Sequence, residues 1–93
     1  MRVTEKMIRK LQKANGVDEI QELIDTGQAW KREGFVGRQA MRSLEDGATM
    51  LPDRHRLDYY GNRIPSRKEI KKGSKGSLEY CRKFWQEYLI HEN

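Results

Sequence analysis

The chain is 93 residues long, carries a net charge of +5, and 35% of its residues are charged, against roughly 25% in an average domain. That length excludes a second core, so residues 1–93 are expected to form a single domain with one thin interior. The lone cysteine, Cys81, excludes an internal disulfide, and the sequence offers no apolar run suited to a membrane span or signal peptide, so no membrane role and a cytoplasmic setting are expected.

Taken in chain order, residues 4–14 predict a helix. Thr4 is placed to cap it, and Val3 and Ile8 stand at hydrophobic-staple positions. Met7, Ile8, Leu11 and Ala14 share one face, and Asn15-Gly16 stops the helix. A second, shorter helix follows. Asp18 and Gln21 have capping-box spacing, Ile20, Leu23 and Ile24 form the apolar face, and Gly27 ends it. The short link between the two implies a helical hairpin. Residues 28–47 keep a helical pattern interrupted by glycine. Gln28 to Glu33 predict a short helical piece with Ala29 and Trp30 facing the core. Gly34-Phe35 is a break, with Phe35 and Val36 plugging the corner, and a restart near Gly37 runs through Ala40, Met41 and Leu44 to Gly47.

Thr49-Met50-Leu51 and Leu57 to Tyr60 predict a short β-ribbon turning at Pro52-Asp53, with a second turn at Gly61-Asn62. Ser66 and Glu69 then have capping-box spacing at the start of a brief helical turn ended by Gly73, anchored only by Ile70. Residues 77–91 give the clearest helix, with Leu78, Cys81, Phe84, Trp85, Tyr88 and Leu89 in a broad apolar stripe. The expected fold class is mainly α: four to five short helices, a short β-ribbon and an irregular basic loop. Scaffold helices occupy 4–47 and 77–91, and the basic ribbon and loop occupy 48–76.

Charge is uneven along the chain. Residues 1–47 hold nine basic and eight acidic side chains, whereas residues 48–93 hold ten and six. The excess lies in 52–77, where Arg54, Arg56, Arg63, Arg67, Lys68, Lys71, Lys72 and Lys75 surround Asp53, Asp58 and Glu69. Long cations suit phosphate neutralisation, and nearby glycines let backbone N–H groups approach an anion closely. The plainer alternative is a solvated loop. Tyr59 and Tyr60 lie inside this field. A free ring stacks well on an unpaired base, but neighbours on a ribbon face opposite ways, so at most one ring is expected to be free. Arg38 and Arg42 share a helix face. They either extend the basic surface, grip a carboxylate, or pair with Glu45 or Asp46. Trp30, Trp85 and Cys81 read as core.

Nothing in the chain has the pattern of a catalytic centre, and no cofactor is expected. Two histidines and one cysteine do not make a zinc set. Asp53, His55 and Asp58 sit among arginines, a poor setting for a metal-dependent nuclease. Phosphate-loop, dinucleotide, serine-hydrolase and zinc-protease signatures are missing. The hairpin of residues 4–27 with a turn at Thr26 to Ala29 suggests a helix-turn-helix, but Gly34 interrupts the helix that would have to read the groove.

Gly34-Phe35-Val36-Gly37-Arg38, Leu44-Glu45-Asp46-Gly47, Asp58 to Asn62, Pro65-Ser66-Arg67 and Lys75 to Glu79 together resemble a pattern in short accessory proteins of phages and other mobile elements of Gram-positive bacteria. The resemblance implies no particular fold or activity. It implies a protein that binds nucleic acid, or one that binds and blocks a host defence machine that handles nucleic acid.

The expected partner is therefore nucleic acid or a host nucleoprotein, contacted with low sequence specificity through Arg54, Arg56, Tyr59, Tyr60, Arg63, Arg67, Lys68, Lys71, Lys72 and Lys75. The alternative is a protein-binding inhibitor, such as an anti-CRISPR, with the tyrosines as interface anchors. A basic inhibitor does not imitate the charge of DNA, so it would block in another way.

Overall fold

The computed structural model describes residues 2–31 and 34–92. It is mainly α, as the periodicity predicts. Helices α1 (Glu5–Ala14), α2 (Asp18–Thr26) and α3 (Phe35–Asp46) are followed by a two-stranded antiparallel ribbon, β1 (Arg56–Leu57) with β2 (Arg63–Ile64), and by α4 (Leu78–Glu92). A 3-10 turn, Gln28–Trp30, joins α2 to α3. It occupies only part of the expected helical piece, whose Arg32 and Glu33 lie outside the described residues.

The thin interior divides into two apolar clusters. Val3, Ile8, Met50, Cys81 and Trp85 form the first, where α1 meets α4; Ile24, Ala29, Ala40 and Leu44 form the second, between α2 and α3. Thr4 Oγ1 accepts from Met7 N at 3.2 Å and caps α1, while Val3 and Ile8 both enter the first cluster, as a staple requires. The segment 48–51 threads between the clusters, with Met50 in one and Leu51 against the other.

The backbone of that segment needs partners away from water, and side chains provide them. Gln21 Oε1 accepts from Met50 N at 2.9 Å, and its Nε2 donates to Met50 O at 3.0 Å, so one amide side chain stands in for a neighbouring strand. Gln12 Nε2 donates to Gln21 Oε1 at 2.9 Å and to Ala48 O at 3.0 Å. This corrects the capping-box reading of Asp18 and Gln21. No side chain caps α2, because the N-cap is Val17 and Asp18 is already the first helical residue, and Gln21 is turned inward.

The ribbon is also displaced from its expected register. Thr49 to Leu51 cannot pair with Leu57 to Tyr60, because Leu51 N already donates to Gly76 O at 2.9 Å and Leu51 O accepts from Arg67 Nε at 2.8 Å. The chain instead folds back later, pairing Arg56 with Ile64 and Leu57 with Arg63 around a turn at Asp58 to Asn62. Asp58 Oδ1 organises that turn by accepting from Tyr60 N at 2.9 Å and Asn62 N at 2.7 Å. Phe35 does not plug a corner: α3 starts at Phe35 itself and its ring is 66% exposed. Met41 is exposed rather than part of the apolar stripe, and Trp30 is half-buried against the second cluster. Among the described residues, no helix is long and apolar enough to cross a membrane.

Candidate functional site

Three of the four arginines of the basic stretch, Arg56, Arg63 and Arg67, pair with acidic side chains. Arg67 is the extreme case, with a side chain 4% exposed. Its Nη2 pairs with Asp25 at 2.7 Å, its Nη1 with Glu5 at 3.3 Å, and its Nε donates to Leu51 O. Asp25 also accepts from Arg9 at 3.0 Å and from Gln21 at 3.2 Å, so one network joins α1, α2 and both ends of the basic stretch. Arg67 thus leaves the candidate surface. A guanidinium with three internal acceptors has no face for phosphate. Arg56 is half-buried. Its Nε donates to Asp25 O at 2.8 Å, near the C-terminal end of α2 where the helix dipole favours a cation, and its Nη2 lies 3.7 Å from Asp53. Gly27 permits this approach. It holds a left-handed φ of 82°, and a Cβ there would stand 3.2 Å from Arg56 Cβ.

Arg63 bonds Glu69 across the loop, and Ser66 N donates to the same carboxylate at 2.8 Å. The Arg63 bond first, and the Ser66 N–H second, hold the Glu69 carboxyl down from 4.5 to about 2. Ser66 and Glu69 therefore make half of the expected capping box, but the chain continues as turns rather than as a helix. The lysines are placed differently. Lys68, Lys71, Lys72 and Lys75 are all exposed, as is Arg54, and none pairs with a carboxylate among the described residues. They project from a loop rooted by Ile70 and by Ser77 Oγ, which accepts from Gly73 N at 3.2 Å and from Tyr80 N at 3.1 Å, capping α4.

Both tyrosines are free, where at most one was expected. Tyr59 is 68% and Tyr60 82% exposed, in an edge-to-face pair with centroids 5.2 Å apart. They escape the alternation of a strand because they sit in the turn itself. Tyr59 N donates to Trp30 O at 3.1 Å, which fixes the turn against the 3-10 segment. A groove of about 550 Å³ opens between this turn and α3. Trp30, Arg38, Met41, Arg42 and Tyr60 line it, together with the carboxylates Glu45 and Asp58 and the glycines Gly34 and Gly37. Arg38 and Arg42 make no ion pair among the described residues, so the expected pairing with Glu45 or Asp46 does not form.

No known family, curated protein or solved structure matches this chain. Its chemistry is therefore read from its own side chains. Among the described residues no cluster of three or more histidine, cysteine or acidic side chains is placed to hold a metal ion. Cys81 is buried in the first cluster, and desolvation pushes its thiol up to about 12, so it stays protonated at neutral pH. The groove was only partly legible in the sequence. Arg38 and Arg42 stood out by their spacing, whereas Trp30 and Met41 read as core. A usable signal was Gly37 inside a helix, a position where glycine costs stability of about 1 kcal/mol.

Proposed function

We propose that this chain is a non-enzymatic binding protein for nucleic acid or a nucleoprotein, of low sequence specificity, encoded by a phage or other mobile element. Lys68, Lys71, Lys72 and Lys75, with Arg54, meet phosphates, while Tyr59 and Tyr60 offer rings to bases. One observation carries the reading: the four lysines of residues 68–75 are exposed with no acid partner among the described residues, while Asp25, Glu5, Glu69 and Asp53 are taken up by arginines. The positive charge left outward-facing on this loop is thus concentrated on flexible point cations, which suit phosphate contact without base readout.

Five such contacts predict a log K against log salt slope of about −4.5 on duplex DNA. Gel shifts with DNA and RNA at about 50 and about 200 mM salt test this. Replacing the four lysines with serine should abolish the shift of duplex DNA, and no binding by the parent chain at low salt would refute the proposal. A second reading is a protein-binding inhibitor of a host nucleic-acid-handling machine, such as an anti-CRISPR. It is favoured by the exposed apolar side chains Phe35, Met41 and Leu57. A stoichiometric host partner that survives nuclease treatment and is lost on Phe35→Ser would select it.

A further inference from the structure

The groove between α3 and the tyrosine turn has a composition of its own, separate from the lysine loop. From it we infer that the groove is a binding site for an unpaired nucleotide, with the base stacked at Trp30 and Tyr60 and the phosphate held by Arg38 and Arg42. This rests on the nucleic-acid reading above and narrows it to single strands.

Gly37 lies inside α3, where any other common residue except proline favours the helix more. It lines the groove without a side chain of its own. Of the two carboxylates among the lining residues, Asp58 is consumed by its own turn, accepting from Tyr60 N, Asn62 N and Asn62 Nδ2. Glu45 stands one helical turn from Arg42 without pairing to it. Two guanidiniums four residues apart therefore face the groove with their donors uncommitted among the described residues, which calls for an anionic occupant. Of the uncharged lining residues, Trp30 and Tyr60 offer aromatic faces. Among the described residues, Ala29 and Met41 are its only other apolar side chains, and no leucine, isoleucine or valine joins them. An unpaired nucleotide supplies an anion joined to a flat ring, and a base in a duplex cannot present its face in this way.

The test uses the full chain with a 12-nucleotide oligothymidylate, a 12-base-pair duplex and a random glutamate–tyrosine copolymer, each at about 50 mM salt. Trp85 is buried, so quenching of tryptophan emission by an oligonucleotide reports on Trp30. The single strand should quench, and the duplex should not. Arg38→Ser with Arg42→Ser, and separately Tyr60→Ala, should weaken single-strand binding about tenfold or more, in line with one or two lost stacking or charge contacts. Duplex binding should change less than about twofold in these variants. Gly37→Leu should fill the groove and abolish quenching while its helix content holds or rises. The lysine-to-serine variant should lose duplex binding but keep a weakened quench, which separates failure of the lysine surface from failure of the groove. Equal binding of strand and duplex without quenching overturns the inference and leaves the lysine surface standing. Binding of neither overturns both. Tighter binding of the copolymer than of the strand, lost on Arg38→Ser with Arg42→Ser, overturns it in favour of an acidic protein partner.

Discussion

Arg67→Ala separates scaffold from surface more sharply than any other substitution in the basic stretch. The guanidinium bonds Leu51 O at 2.8 Å and Asp25 at 2.7 Å, and reaches Glu5 at 3.3 Å. Buried hydrogen bonds from a charged group contribute about 1.5–3 kcal/mol each. The Glu5 side chain is half exposed, so that pair contributes less than about 1 kcal/mol. Truncation strands the Leu51 carbonyl, but Asp25 keeps Arg9 and Gln21, so its charge is not left alone. The low end of the range for breaking a buried pair applies, about 3 kcal/mol. For a domain of this size each kcal/mol moves Tm by about 4–8 °C, so the variant should melt about 12–24 °C below the parent. Thermal circular dichroism and urea unfolding measure it, with an unchanged m-value showing that the same surface is exposed. Replacing Lys68, Lys71, Lys72 and Lys75 together with serine is the control, since each exposed substitution shifts stability by at most about 0.5 kcal/mol. An Arg67→Ala protein that melts within about 4 °C of the parent would show that the guanidinium does not hold the fold, and the assignment of Arg67 to the interior would fall.

Other outcomes follow from single sites. Glu69 has a folded-state carboxyl below its unfolded value of 4.5, so its contribution is complete above that pH and disappears as pH falls through about 2. Carboxyl-carbon NMR should find its midpoint near 2 in the parent, and Arg63→Ala should return it toward 4.5. Cys81, raised to about 12 by burial, should resist a thiol reagent at about pH 8 in the folded chain and react within minutes in denaturant; fast labelling of the native chain would contradict its placement. Gly76→Ala should cost about 2–3 kcal/mol, because φ there is 94° and a Cβ would lie 2.7 Å from Leu51 Cγ; a urea midpoint equal to the parent's would show that the loop adjusts freely.

The helices were legible because their signals are local. Thr4, Gly27 and Gly47 cap or stop a helix by geometry within a few residues, and the α4 stripe repeats every turn. The ribbon was misread because its register depends on competition at a distance. Thr49 to Leu51 has good strand propensity, but its polar groups are claimed by Gln21, Gly76 and Arg67, and nothing near residue 50 announces that. Gln21 was misread for a similar reason. Its spacing from Asp18 suits a cap, yet burial beside Gln12 and Met50 satisfies more of its hydrogen bonds. Tyr59 and Tyr60 were assigned to a strand and so to opposite faces, while Asp58 pulls both into a turn where alternation does not apply.

The candidate surface was half legible, and the half that was missed has one cause. Read as charge, arginine and lysine are one class, and residues 52–77 are a uniform basic run. Read as geometry, they divide. A planar fork of donors reaches several acceptors at once, so arginine is the residue that an internal carboxylate or carbonyl recruits, whereas an ammonium is more strongly hydrated and stays outside. Arg56, Arg63 and Arg67 fit that rule, with partners as distant in sequence as Glu5, which no local pattern announces. The rule makes a charge-neutral exchange informative. Arg67→Lys keeps the net charge at +5 yet supplies a compact ammonium in place of three spread donors, and it should recover less than half of the stability lost in Arg67→Ala. Lys68→Arg, Lys71→Arg, Lys72→Arg and Lys75→Arg together should leave Tm almost unchanged and polyanion affinity within about twofold, because a solvated phosphate contact depends on charge more than on the fork. If the lysine exchange lowered Tm and the arginine exchange did not, the division of roles would be reversed, and the lysines would have no claim to a partner.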